Sequence, residues 1–202
     1  MTKILIHVPK SGGMTILKAG EEGGIKVLHK AGLRGFLEST EEEIESCDLF
    51  VSHSPYSVYL KRGIKNLEFF SLVRCPYTRI ISNYYQDKLA SVAIDSLYQY
   101  LNYYQGRGLS AMVNSFCSDL SKPLPEQLDS AKENVKRFKL FMFSEMNNEW
   151  DKITDYIGTK KMPLIFCNSR TGDSIISRGT LDYMDELLRY EMELYNYIKT
   201  LK

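Results

Sequence analysis

The sequence predicts an α/β domain of three layers, a parallel sheet with helices flanking both faces. Short apolar runs rich in β-branched and aromatic residues recur at residues 3–8, 25–28, 48–52, 67–73, 139–143 and 162–166. Helix-like segments separate several of them, so the chain reads strand, helix, strand rather than as a run of hairpins. The first and fourth runs are almost continuously apolar, as strands covered on both faces are. With 202 residues, 44% of them hydrophobic, the chain is long enough to bury its core as one domain.

Each element follows in chain order. The first strand runs straight into a glycine turn, and a helical pattern starts at Ile16 and Leu17. Strands at 25–28 and 48–52 come next, separated by a segment whose Glu41-Glu42-Glu43 run reads as a solvated face. After the strand at 67–73, Pro76 opens a helix to about residue 90, since proline is tolerated in a first turn. Residues 94–120 read as helical and unusually aromatic, and 91–137 as a candidate helical insertion over one edge of the sheet. Pro123 and Pro125 punctuate the chain before a polar helix at 126–137. The last helix spans 180–201, with Leu181, Met184, Leu188, Tyr195 and Ile198 on one face and Thr180 as its cap.

Composition narrows the function classes. Twenty-six basic residues stand against 25 acidic ones, a net charge of +1, so bulk attraction to nucleic acid or an anionic membrane is not expected. An anion would have to be held by a local site. No apolar run approaches the roughly 20 residues of a membrane span, and residues 1–9 lack the apolar stretch of a secretory signal, which predicts a cytoplasmic protein. Cys47, Cys75, Cys117 and Cys167 form no CxxC pair, so buried reduced thiols are expected, and no metal site.

The first strand delivers Pro9-Lys10-Ser11-Gly12-Gly13-Met14-Thr15. A strand, a glycine turn and a helix N-terminus together offer unpaired backbone N–H groups to one point, which is a phosphate site. Glycine permits close approach, Thr15 offers a hydroxyl and Lys10 a full charge. The Walker A loop differs, because its lysine follows the second glycine, and no strong candidate for a Walker B aspartate ends a later strand. A glycine turn kept only for packing is the alternative.

The run His7-Val8-Pro9-Lys10-Ser11-Gly12-Gly13 resembles the 5′-phosphosulfate loop of the sulfotransferases related to heparan sulfate 2-O-sulfotransferase, with Met14 where that group has threonine. The resemblance implies a sulfotransferase fold of nucleotide-kinase-like, P-loop type. It also implies 3′-phosphoadenosine 5′-phosphosulfate (PAPS) as donor, and a carbohydrate or small-molecule acceptor. A second segment must then bind the donor's 3′-phosphate. Arg74-Cys75-Pro76-Tyr77-Thr78-Arg79, with Ser82 following, is similar to the group's Arg-Asp-Pro-Tyr-x-Arg and its serine. By that resemblance Arg74 and Ser82 hold the 3′-phosphate; Cys75 replaces the aspartate. Arginine at a strand end can fork onto phosphate oxygens.

A base is needed for the acceptor proton, and the chain offers His7, His29 and His53. His53 ends the strand at 48–52 in Ser52-His53-Ser54-Pro55-Tyr56, similar to the group's Gly-His-x-Pro-Phe or Tyr segment, whose histidine is the catalytic base. His7 is expected to brace the loop, with an exchange of roles between it and His53 left open, and His29 to be structural. Arg178 is a further candidate for the 3′-phosphate, or else an exposed turn arginine. Tyr84, Tyr85, Tyr98, Tyr100, Tyr103 and Tyr104 offer an aromatic acceptor platform, or else a packing stripe. Two other readings stand beside the sulfotransferase: a small-molecule or nucleoside kinase of related fold, and a nucleotide-binding module without catalysis.

Overall fold

A computed structural model of the chain describes residues 1–30, 32–89, 94–105, 109–166 and 176–202. Its strands are β1 (Thr2–Ile6), β2 (Val27–Lys30), β3 (Leu49–Ser52), β4 (Leu67–Val73) and β5 (Lys139–Met142). They form one sheet in the order β2-β3-β1-β4-β5, and every pair is parallel. The helices are α1 (Gly13–Glu22), α2 (Gly32–Glu38), α3 (Glu41–Glu45), α4 (Tyr56–Arg62), α5 (Pro76–Leu89), α6 (Leu97–Tyr104), α7 (Ala111–Phe116), α8 (Leu124–Val135), α9 (Met146–Ile157), α10 (Arg178–Leu187) and α11 (Arg189–Thr200). No helix among the described residues is long and apolar enough to cross a membrane.

Alternation along the strands builds two cores. Ile4, Ile6, Phe50 and Val73 face a layer made by α2, α4, α7, α8 and α11, where Phe36, Tyr59, Phe116 and Ile198 are buried. Leu5, Leu49, Val51, Phe70 and Leu72 face the other way, onto Ile16 and Leu17 of α1 and Met146, Trp150 and Ile153 of α9. Each fully buried side chain of this size stabilises the fold by roughly 1.5–3 kcal/mol. A satellite cluster joins α5, α6 and α10 through Ile80, Tyr84, Tyr100, Leu101, Met184 and Leu188. This is the three-layer parallel architecture that the sequence predicts.

Several elements differ from their sequence reading. Residues 162–166 pair with no strand; the Met162 carbonyl accepts a bond from the Trp150 indole (2.7 Å), and Met162 and Leu164 lie against the α1/α9 core as an extended cover. The expected last helix is two, broken at Leu188, and Ser177 rather than Thr180 caps the first, accepting from the Thr180 N–H. The break has a packing cause: Met184 and Leu188 belong to the satellite cluster, whereas Leu194 and Ile198 belong to the main core. Glu41, Glu42 and Glu43 are exposed, and they form the first turn of α3, closed by a capping box between Thr40 and Glu43. Cys47 and Cys117 are buried and Cys75 partly so; the expectation for Cys167 lies outside the described residues.

Candidate active site

Adjacent and parallel, β3, β1 and β4 open their C-terminal loops side by side on one edge of the sheet. From β1 the chain crosses to β2 on one side, and β4 is followed by β5 on the other, so the site lies where an open α/β sheet binds ligands. His53, Lys10 and Arg74 each sit just past the end of one of these strands.

The loop after β1 is held in an uncommon backbone path. Lys10 has φ +65° and Gly12 φ +91°, both left-handed, and α1 starts immediately afterwards at Gly13. A left-handed lysine costs roughly 1–3 kcal/mol and persists only where its surroundings impose it. Here Arg74 imposes it, donating from Nη1 to the Lys10 carbonyl at 3.0 Å. Ser11 is buried and its hydroxyl has no partner among the described residues, Thr15 is buried in the first turn of α1, and Met14 is exposed. The first N–H groups of any helix lack intrahelical partners, so this turn can receive an anion.

Arg74 is fixed at three points. Besides its bond to Lys10, Nε donates to the Thr78 hydroxyl at 3.2 Å, and the guanidinium lies 4.6 Å from the Phe143 ring centre. Phe143 also lies under Gly12, where an added Cβ would come within 3.0 Å of its ring. It thus underlies both the β1 loop at Gly12 and the β4 loop at Arg74. Sequence reasoning missed it because its role depends on contacts 69 and 131 positions away, taken as 143 − 74 and 143 − 12.

Ser82 is buried on α5, with Gln86 one turn further on. Gln86 is a second residue the sequence did not reveal: its side-chain oxygen accepts a short hydrogen bond from Lys10 Nζ. Arg178 is exposed on the first turn of α10, and no hydrogen bond or ion pair among the described residues ties it to the loops.

His53 donates from Nδ1 to the His7 carbonyl (3.0 Å) in the tautomer that makes this contact a hydrogen bond, leaving Nε2 with a free lone pair. The two imidazoles are stacked, with centroids 4.1 Å apart and 25° between planes. Burial lowers the His53 pKa, and a positive charge on His29 lowers it further, against the raising effect of the bond to His7. The His7 pKa is lowered to about 3, first by burial and then by the charge on His53. Near neutral pH both rings are therefore uncharged. His29 is exposed on β2.

The tyrosine-rich segment divides. Tyr84 and Tyr100 are buried in the satellite cluster, whereas Tyr98 and Tyr103 are exposed. The Tyr100 and Tyr104 hydroxyls donate to Asp87 Oδ2, at 3.3 and 2.9 Å. Beside Pro9 a cavity of about 170 Å³ opens between α5 and α6, bordered by Asn83, Tyr100 and Tyr104. Among the described residues no cluster of three histidine, cysteine or carboxylate groups is arranged to hold a metal ion.

No protein-family model matches the chain, and no curated protein matches it in sequence. The fold has a solved counterpart. The structure of mouse sulfotransferase SULT7A1 complexed with PAP aligns over 100% of this chain and 89% of that one, with a TM-score of 0.57 and 14% sequence identity. At that identity the likeness is one of fold: the chain has the sulfotransferase fold. It does not single out the group related to heparan sulfate 2-O-sulfotransferase.

Proposed function

We propose that the chain is a sulfotransferase that moves the sulfuryl group of PAPS onto an acceptor hydroxyl, of a carbohydrate or another small molecule. The single observation that carries the reading is the convergence of the β1, β3 and β4 loops on one sheet edge, with a lysine, a histidine and an arginine at their starts. Kinship with the heparan sulfate 2-O-sulfotransferase group is part of the proposal and rests on the motifs at Lys10 and Arg74 and on the His53 segment.

In the proposed reaction the acceptor oxygen attacks sulfur in line, opposite the oxygen that bridges to the 5′-phosphate. The new S–O bond forms as the bridging S–O bond breaks, and the electron pair of that bond stays on the phosphate. The acceptor's proton passes to His53 Nε2. Lys10 neutralises charge developing on the leaving oxygen, by the logic of preorganised electrostatic stabilisation. Gly12, Gly13, Met14 and Thr15 at the start of α1 hold the 5′-phosphate, with the Ser11 hydroxyl buried and unpartnered beside them. Arg74 and Ser82 take the 3′-phosphate, with Arg178 a further contact, and the cavity beside Pro9 lies on the acceptor side. No metal is required by this scheme.

The experiment is transfer of labelled sulfate from PAPS to a panel of carbohydrate, phenol and alcohol acceptors. His53→Ala is expected to lower kcat by about 100-fold or more, within the range a general base contributes, while donor binding stays close to wild type. Full activity in His53→Ala would remove the base assignment.

A further inference from the structure

His7 has no part in the reaction just described, yet its ring is buried at the edge of the site and its Nδ1 has no hydrogen-bond partner among the described residues. Its surroundings are specific. A Cβ added at Gly13 would lie 2.2 Å from the His7 ring, so the imidazole occupies space that only a glycine leaves open. The same ring is stacked on His53, and the His7 carbonyl is the acceptor that selects the His53 tautomer.

We propose that His7 is the positioning residue of the base: its ring, seated against Gly13 at the start of α1, is the platform that holds the His53 imidazole with Nε2 available to the acceptor. What Nε2 does rests on the sulfotransferase reading; how the rings are held does not. The groups whose charge acts on the pair are His29 on β2 and Lys10 on the β1 loop, together with the rings themselves. All are cationic when charged, so they act in the same direction as burial. His7 stays neutral down to about pH 3. It can therefore lie under His53 while that ring carries the acceptor's proton, whereas two charged rings 4.1 Å apart would repel.

Wild type, His7→Ala and His7→Phe are compared by NMR titration of the His53 imidazole and by transfer rates between about pH 5 and 8. In wild type the His53 midpoint lies below 6.5, and activity is lost as pH falls through it, because only the neutral ring accepts a proton. Removing the His7 ring hydrates His53, so in His7→Ala the midpoint and the acid limb move up toward 6.5. kcat falls about 10- to 100-fold, and the donor KM changes by less than about 3-fold, as expected for a group acting only in the transition state. His7→Phe restores a flat ring; the midpoint returns downward and most of the lost kcat is recovered.

A folded His7→Ala enzyme with unchanged midpoint and kcat overturns the proposal, and so does failure of His7→Phe to differ from His7→Ala. If His7→Ala does not fold, His7→Gln, of similar size but without a ring, takes its place in the same comparison. If the His53 midpoint moves as described but wild type transfers no sulfuryl group to any acceptor, the ring pairing stands and the sulfotransferase reading falls.

Discussion

Gly12 and Gly13 illustrate how one residue type serves two ends in the loop after β1. Both suit the approach of a phosphate, but each also makes room for a ring: Gly12, at φ +91°, lies on Phe143, and Gly13 lies on His7. Gly13→Ala must displace the His7 ring. It is expected to lower the free energy of unfolding by about 1–3 kcal/mol, the usual cost of overpacking, measured by urea denaturation. Gly179→Ala is the control, since nothing lies within 4 Å of its missing Cβ on α10, and its effect is expected to stay within about 1 kcal/mol. Equal stability of the two variants would mean that His7 does not sit on Gly13. The glycine turn between β1 and α1 was legible because its signal is local: Lys10, Gly12, Gly13 and Thr15 lie within six positions. The stack of His7 on His53 was not, because it joins residues 46 apart through the register of β1 with β3.

At the scale of elements, α5 organises the site and ties it to the rest of the molecule. Gln86 accepts from Lys10 of the β1 loop, while Arg79, almost two turns earlier, is buried and paired with Glu191 of α11 at 3.1 Å. The Glu191 carboxylate also accepts from the Met112 and Val113 N–H groups at the start of α7, and Arg79 donates to the Leu109 carbonyl. Removing one member leaves the other charge buried, so Arg79→Met is expected to cost about 3–5 kcal/mol. The double variant Arg79→Met/Glu191→Leu is expected to cost clearly less than the sum of the single changes, in a urea double-mutant cycle. Additive losses would show that the pair is not coupled. The sequence indicates α5 correctly from Pro76 and its periodicity, but a partner 112 positions away leaves no local signal. The same limit explains the last helix. Its apolar face reads as one stripe, and only the division of Met184 and Leu188 from Leu194 and Ile198 between two clusters calls for a break. Residues 162–166 carry strand-like composition but only Met162 and Leu164 pack against the α1/α9 core, while Ile165 and Phe166 are exposed, so apolar composition alone did not distinguish a one-sided cover from a strand.

For the whole molecule, a net charge of +1 and the proposed donor site are compatible, since Lys10, Arg74 and the start of α1 would act locally without shifting the total. The same balance disfavours a long, densely sulfated polymer as acceptor, which would call for a broad basic surface. The sheet order explains how so small a set suffices, because three adjacent parallel strands bring their loops to one edge. Donor recognition is the central claim, and calorimetric titration of the intact chain with adenosine 3′,5′-bisphosphate and, separately, with ATP and Mg²⁺ tests it most directly. The account predicts saturable binding of the bisphosphate, at least about 10-fold tighter than ATP with Mg²⁺, and a loss of about 10-fold or more in Lys10→Ala and in Arg74→Ala. Tighter binding of ATP with Mg²⁺, or no binding of the bisphosphate, would contradict it.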